Sequence, residues 1–478
     1  MRLADRPFPA CLLVFVLCLW GGCSEHQDQY TPDGRLILTY WEKWTGFEAQ
    51  AMQQIVDDYN QSQQKVYVKM LNVSQIDQKL LLAAAGGNPP DIAGLWSHTI
   101  NIYAEKSALT PLNNHLEARH IGKEKYVPVF WDLCSHRGYV WGLPSTPSTM
   151  ALHWNQRLFA EAGLDPQKPP QTIAQLDQMA EQLTLVNVIR DGKSLQVRYP
   201  QLTVEEKQAK RFEIVQLGFT PSVPGWWNEM WGFWFDGELW DGENRIQSDH
   251  PGNLAAYEWM AGYYQKFGVE NLMKFGSSFG NFASPQSPFF SERVAMVLQG
   301  TWNFNFIQQY APQLQWAAAA FPSWEQTDGK PVSIVETDVL VIPRGVRHVR
   351  EALDFICYVN QQPVMEKLAM GQRKFSPLAT VSPTFYQQHP NPYIKVFAQL
   401  AQSPNVRYVP RMTIWQEYKD EMVVAIDQLG RLEVSPQQAM DNVQKRVQRK
   451  LDRAQRRWDR VEIQRISDWQ KVMSDDTQ

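Results

Sequence analysis

The sequence predicts an α/β protein of two domains, and three observations carry that expectation. The chain has 478 residues, more than one hydrophobic core comfortably serves, so two domains of ordinary size are expected. From residue 35 onward, short apolar runs alternate with stretches of helical period, the pattern of a sheet wrapped by helices. Residues 143–184 (LPSTPSTMALHWNQRLFAEAGLDPQKPPQTIAQLDQMAEQLT) then run in a long order: extended segment, strand, short helix, Pro-rich turn, second helix.

At the start, Arg2 and Arg6 precede a ten-residue apolar run at 11–20, too short to span a bilayer and shaped like a secretory signal. Gly21-Gly22-Cys23 closes it and resembles a lipobox, with Trp20 standing where Leu is usual. Residues 1–22 are therefore expected to be a signal peptide, Cys23 to be acylated, and 23–34 to be a polar tether from the membrane. Cys134 and Cys357 remain. They allow one disulfide in an oxidising compartment, but two separate buried thiols are the favoured reading.

Next come a strand at 35–40, a helix at 47–61 with Met52, Ile55, Val56 and Tyr59 on one face, a strand at 66–71 and a helix at 75–85. Gly86-Gly87-Asn88-Pro89-Pro90 breaks that helix before a third strand at 91–95. Strands joined by helices of this length lie parallel, and ligands of such sheets sit beyond the carboxyl ends of the strands. Residues 185–220 are polar and poorly periodic, and read as an insertion or a surface excursion. Residues 225–242 (GWWNEMWGFWFDGELWDG) hold five of the 19 tryptophans. From Ser435, with Pro436 in the first turn, one long helix is expected. Its stretch 445–465 has nine basic and three acidic residues; a solvated face is the first reading, contact with anionic headgroups or a partner protein the other.

Charged residues make up 20% of the chain and hydrophobic ones 44%, ordinary for a soluble globular protein. A net charge of −4 argues against a nucleic-acid binder, whose phosphate contacts need a basic excess. No C-x-x-C, His/Cys cluster, H-E-x-x-H, Walker loop or dinucleotide fingerprint is present, so no metal or cofactor is expected. Gly276-Ser277-Ser278-Phe279-Gly280 matches the nucleophile-elbow pattern, but 270–275 reads as a helix end where that motif needs a strand. No enzyme activity is expected.

The 143–184 succession, together with G-N-P-P-D-I before the third strand and Y-A-E-K-S-A-L-T-P-L at 103–112, resembles the family 1 extracellular solute-binding proteins, the maltose-binding-protein-like receptors of ABC importers. The resemblance implies a two-lobe periplasmic-binding-protein fold, each lobe a mixed sheet flanked by helices and discontinuous in sequence. It places 35–143 and 320–364 in lobe 1, 144–319 and 365–434 in lobe 2, a hinge between them, and a C-terminal helical extension at 435–478. It also implies a monomeric, extracytoplasmic, membrane-anchored lipoprotein that captures a carbohydrate (a di- or oligosaccharide) and hands it to ABC permease subunits.

A sugar offers C–H faces and a rim of hydroxyls, so its site needs flat aromatic platforms beside fixed polar groups, because unsatisfied buried hydroxyls are costly. The strand-end loops supply Glu42, Trp44, Trp96 and Ser97; Ser148 follows the crossing into lobe 2; Trp227, Glu229 and Trp231 lie in the Trp-rich stretch; Trp302 follows Gly300-Thr301. By the resemblance, Glu42, Trp96, Glu229, Trp231, Trp302 and Trp415 fall at ligand-contacting positions. Trp231, Trp302 and Trp415 would stack on the sugar, while Glu42, Glu229 and Arg373 would hold hydroxyls. Glu336 and Asp338 (in IVETDVLVIP) complete the set. Each of these also has an ordinary reading, as a core indole or a structural ion pair. Ser148 stands where the maltose receptor carries an acidic residue, which puts maltose itself in doubt. The rival functions are a receptor for a phosphorylated polyol such as a glycerol phosphate, a glycoside-active enzyme, and a sensory or scaffold lipoprotein that docks through the basic helix.

Overall fold

The computed structural model describes residues 28–225, 227–324 and 330–475. The expected signal peptide and Cys23 lie outside them. Eight strands form one sheet that runs through both lobes. Its first-lobe part orders Val66–Asn72, Leu36–Glu42 and Ile92–Trp96 in parallel, followed antiparallel by the long strand Val332–Val341 and its neighbour Gly142–Asn155. Met296–Gly300 and Trp316–Ala319 continue it in the second lobe on Gly142–Asn155, and Asn405–Arg407 on Val332–Val341.

Those two long strands are the crossings. Gly142–Asn155 is buried along its whole length, yet Pro144 and Pro147 interrupt its supply of N–H donors. The ladder shifts register there: Thr337 pairs with Pro147 and Val339 with Pro144, leaving Ser145 and Thr146 opposite Asp338. A loosened ladder flanked by regular pairing is where two lobes can rotate. Just before it, Gly142 is required by close approach, since a Cβ would fall 2.6 Å from the carbonyl oxygen of Leu340.

In the first lobe, one sheet face is covered by helices Gly46–Ser62, Val349–Val359 and Gln362–Gln372 around Leu38, Tyr40, Ile55, Phe355 and Leu368. The other is covered by Ile76–Ala85 and Ile100–Glu105 around Leu80, Leu95 and Trp141. The second lobe has a large core on one side, centred on the Trp-rich stretch, and a smaller one around Phe304, Trp316 and Phe397 on the other. Local signals act as read: Asn155 caps helix Gln156–Glu161 by accepting from Leu158 N (3.0 Å), and Thr172 caps Ile173–Leu183 by accepting from Gln175 N (3.1 Å).

Around the later crossings, Phe321, Val332 and Ile334 pack in the large second-lobe core and Leu340 in the first-lobe core. Met365 and Leu368 pack in the first-lobe core, Phe375 in the smaller second-lobe one and Leu378 again in the first. Residues 185–216, read as an insertion or surface excursion, carry secondary structure of their own: Leu185–Arg190, Lys193–Arg198 and Glu213–Gln216 form a separate three-stranded antiparallel sheet turned at Asp191-Gly192, both with positive φ. On the C-terminal helix Pro436–Asp475 the basic residues of 445–465 are mostly exposed, as the solvated-face reading expects, while the apolar inner face packs against both lobes. Cys134 and Cys357 are free thiols.

Candidate functional site

The carboxyl ends of Leu36–Glu42 and Ile92–Trp96 deliver two loops side by side to the crossing strands. Glu42 turns out to build its loop. Its buried carboxylate accepts from the Tyr40 hydroxyl and from the backbone N–H groups of Lys43 (2.7 Å) and Trp44 (3.2 Å). Asp338, at the register shift, has a similar task. Its carboxylate accepts from Lys43 Nζ (3.0 Å), the Trp44 indole N–H (2.9 Å) and Lys374 Nζ (3.2 Å), and Lys374 reaches on to Glu48 (2.7 Å). Burial works to raise the Asp338 pKa, but Lys374 and Lys43 outweigh it and hold the carboxyl below its ordinary value. At Glu48 burial wins, and the pKa is raised despite Lys374.

The network pins Trp44. The ammonium groups of Lys43 and Lys374 lie 4.9 and 4.8 Å from its ring centroid, and Trp96 meets it edge-on at 5.9 Å. Trp96 in turn stacks on His98 (6.1 Å, 23°). His98 pairs through Nδ1 with Glu336 of the crossing strand. Burial pulls the His98 pKa down, yet Glu336 and Asp77 more than compensate, and it is raised.

From the opposite lobe, Lys419 is close enough to oppose the His98 charge. It pairs with Glu229 at 3.4 Å, whose pKa burial raises against the pull of that lysine. Trp227 tilts against Trp302 with ring centroids 5.9 Å apart. Trp302 is half-buried and its ring covers Gly300, where a Cβ would lie 2.3 Å from it. Only glycine lets that ring lie down on the strand end.

Of the expected residues, Trp44, Trp96 and Glu336 thus share one connected network, Glu229 reaches it through Lys419, and Trp227 and Trp302 pack on each other in the second lobe. Three expected roles are corrected besides those of Glu42 and Asp338. Trp231 is 1% exposed, set among Phe219, Trp234, Trp259 and Phe321, and donates to the Pro221 carbonyl (3.2 Å), so no face is left for a ligand. Trp415 packs into the same core, edge-on to Tyr418. Arg373 donates to Asn305 Oδ1 (3.1 Å) over the Phe304 ring, tying two helices together. Ser97 is buried with its Oγ accepting from Thr337 N (3.3 Å), and Ser148 is buried opposite Glu336 in the ladder.

His98, Asp77, Lys419 and Lys374 went unnoticed in the sequence. Two had a signal: His98 follows Trp96 in the same loop, and Lys419 lies one helical turn after Trp415. Among the described residues no group of three or more His, Cys, Asp or Glu is placed to hold a metal ion, and no helix is long and apolar enough to cross a membrane.

A family model described as bacterial extracellular solute-binding protein matches residues 54–393. The maltotriose-binding protein of Pyrococcus abyssi is 20% identical over 349 residues, 72% of this chain and 66% of that protein. The multiple sugar-binding protein of Streptococcus mutans is 20% identical over 361 residues, 73% of this chain and 77% of that one. The chain therefore spans just under two thirds of the first relative's length and about three quarters of the second's. Among solved structures, CpMnBP1 with mannotriose bound is 28% identical, with a TM-score of 0.70 over 86% of this chain and 99% of that one. The sugar-binding protein MalE of Xanthomonas citri is 20% identical, with a TM-score of 0.69 over 88% and 98%.

Proposed function

The chain belongs to the bacterial extracellular solute-binding proteins, and from that premise we propose that it is the receptor of an ABC importer for a carbohydrate of two or more units. Membership places its work outside the cytoplasm. The observation that carries the carbohydrate reading is that Lys419, paired with Glu229, comes near His98, which pairs with Glu336 and stacks on Trp96; the half-buried Trp302 is the indole we propose for the second-lobe side. Indole faces suit the C–H faces of a sugar, and paired acids and bases suit its hydroxyls. Relatives and neighbours named for maltotriose and mannotriose support an oligosaccharide.

The work is capture and release. A ligand touching both lobes stabilises the closed arrangement by the contacts the open one lacks, and the closed pair presents a matched surface to the permease subunits. Acylation at Cys23 would hold this monomeric receptor at the membrane. A thermal-shift panel of mono-, di- and oligosaccharides, including maltotriose and mannotriose, tests the reading. One sugar should raise the melting temperature, and Trp302→Ala and Trp96→Ala should each weaken its binding by roughly 10-fold or more. A shift given by glycerol 3-phosphate and by no sugar refutes it.

A further inference from the structure

The C-terminal helix Pro436–Asp475 is one 40-residue element, about 60 Å long at 1.5 Å per residue, and its two ends hold different lobes. Its first turns belong to the second lobe. Met440, Val443, Val447 and Leu451 enter the core, and the Gln448 side chain donates to the Asn244 carbonyl (2.8 Å). Its last turns belong to the first. Trp469, 1% exposed, sits edge-on to Tyr139 (5.3 Å) and Trp141 (4.9 Å), and its indole N–H and Arg465 both donate to Ser107 Oγ (3.3 and 3.0 Å). Between the anchors, where Arg137 stacks on Trp458 at 3.9 Å, the helix spans a cavity of about 1380 Å³ walled by both lobes and by the helix itself.

We propose that residues 456–475 are a strap that limits rotation of the lobes and so regulates the affinity of the cleft; the second half of that statement rests on the cleft being a sugar site. No Gly or Pro interrupts residues 437–475, so the helix has no built-in point of bending. Rotation about the register shift moves Ser107 and Tyr139 relative to Asn244, and a stiff rod bonded to both must release one end. Both anchors are apolar, but the second-lobe core takes five buried side chains of the helix (Ala439, Met440, Val443, Val447 and Leu451) and the first-lobe core only the two indoles Trp458 and Trp469. The first-lobe anchor lets go first. Docked, the strap holds a narrow range of lobe angles; released, it frees a wider one.

The test measures lobe geometry without any sugar. Spin labels at Leu82→Cys and Ile189→Cys, both exposed positions on different lobes, in a Cys357→Ser background report the interlobe distance by pulsed electron paramagnetic resonance. The full-length parent should give one narrow population. Deletion of 456–478, which begins beyond Ala454 on the second-lobe core and the Gln455 bond to the Glu243 carbonyl (2.8 Å), should add a longer population, and full-length Trp469→Ala should do the same. Hydrogen exchange across 458–475 verifies that Trp469→Ala has loosened the anchor. Faster exchange with unchanged distances in both variants overturns the strap. Sugar titrations then separate the two readings. Widened distances with no saccharide bound by any variant leave the strap standing and refute the sugar cleft. Widened distances with equal sugar affinity, rather than the several-fold change expected, refute regulation of the cleft.

Discussion

Replacing Asp338 with Ala tests whether the crossing is held by charge. Its carboxylate is the shared acceptor of Lys43, Lys374 and the Trp44 indole, and the two lysine side chains are only 2% and 4% exposed. Removing it leaves two ammonium groups buried without their main counter-charge, and breaking a buried pair from one side costs roughly 3–5 kcal/mol. With both lobes melting together, at about 2.1 cal/mol/K per residue each kcal/mol moves the melting point about 1 °C, so calorimetry should show a fall of roughly 3–5 °C. Asp338→Asn keeps an acceptor for the indole and should fall less. The pH dependence has a fixed sign. Because the folded pKa of Asp338 is depressed, its stabilisation is present above the ordinary carboxylate value and is lost as pH falls through the folded one. The parent should therefore lose more stability on acidification than Asp338→Asn does. A melting point for Asp338→Ala within about 2 °C of the parent would falsify the view that this network holds the hinge region.

Two further outcomes separate core from cleft. Trp231→Ala should cost on the order of 3–5 kcal/mol in denaturant unfolding while leaving sugar affinity near the parent's at temperatures where it stays folded; a large affinity loss with little loss of stability would restore Trp231 to the binding surface. His98, whose pKa is raised, contributes stability that is full below the ordinary histidine value and fades as pH rises through the folded one. With a third of its side chain exposed, that share is on the order of 1 kcal/mol, and a melting series from about pH 6 to about pH 8.5 should show it in the parent and not in His98→Gln.

The two-lobe architecture was legible because it is written in local signals that tertiary context does not override. Alternating strand and helix periods, the Asn155 and Thr172 caps and the Pro144–Pro147 pair all act through their own backbone. The Asp191-Gly192 hairpin was equally local and was passed over for its polar flanks, one side of that sheet being exposed. The crossings are less legible, since apolar residues such as Phe321 and Ile334 read the same whichever lobe receives them. Site membership was less legible. Trp231 and Trp302 are both indoles in aromatic company, and only the fold decides that one is surrounded by Phe219, Trp259 and Phe321 while the other rests on a glycine. Charges from separate elements, such as His98 and Lys419, meet through long-range packing that no window of sequence contains.

The shared strands carry a consequence for how the molecule comes apart. Gly142–Asn155 and Val332–Val341 each donate half their length to either lobe, so neither half of the protein can be excised as a continuous piece or melt without exposing the other's ladder edges. The pair should behave as one cooperative unit on heating, movable at the joint yet indivisible in unfolding.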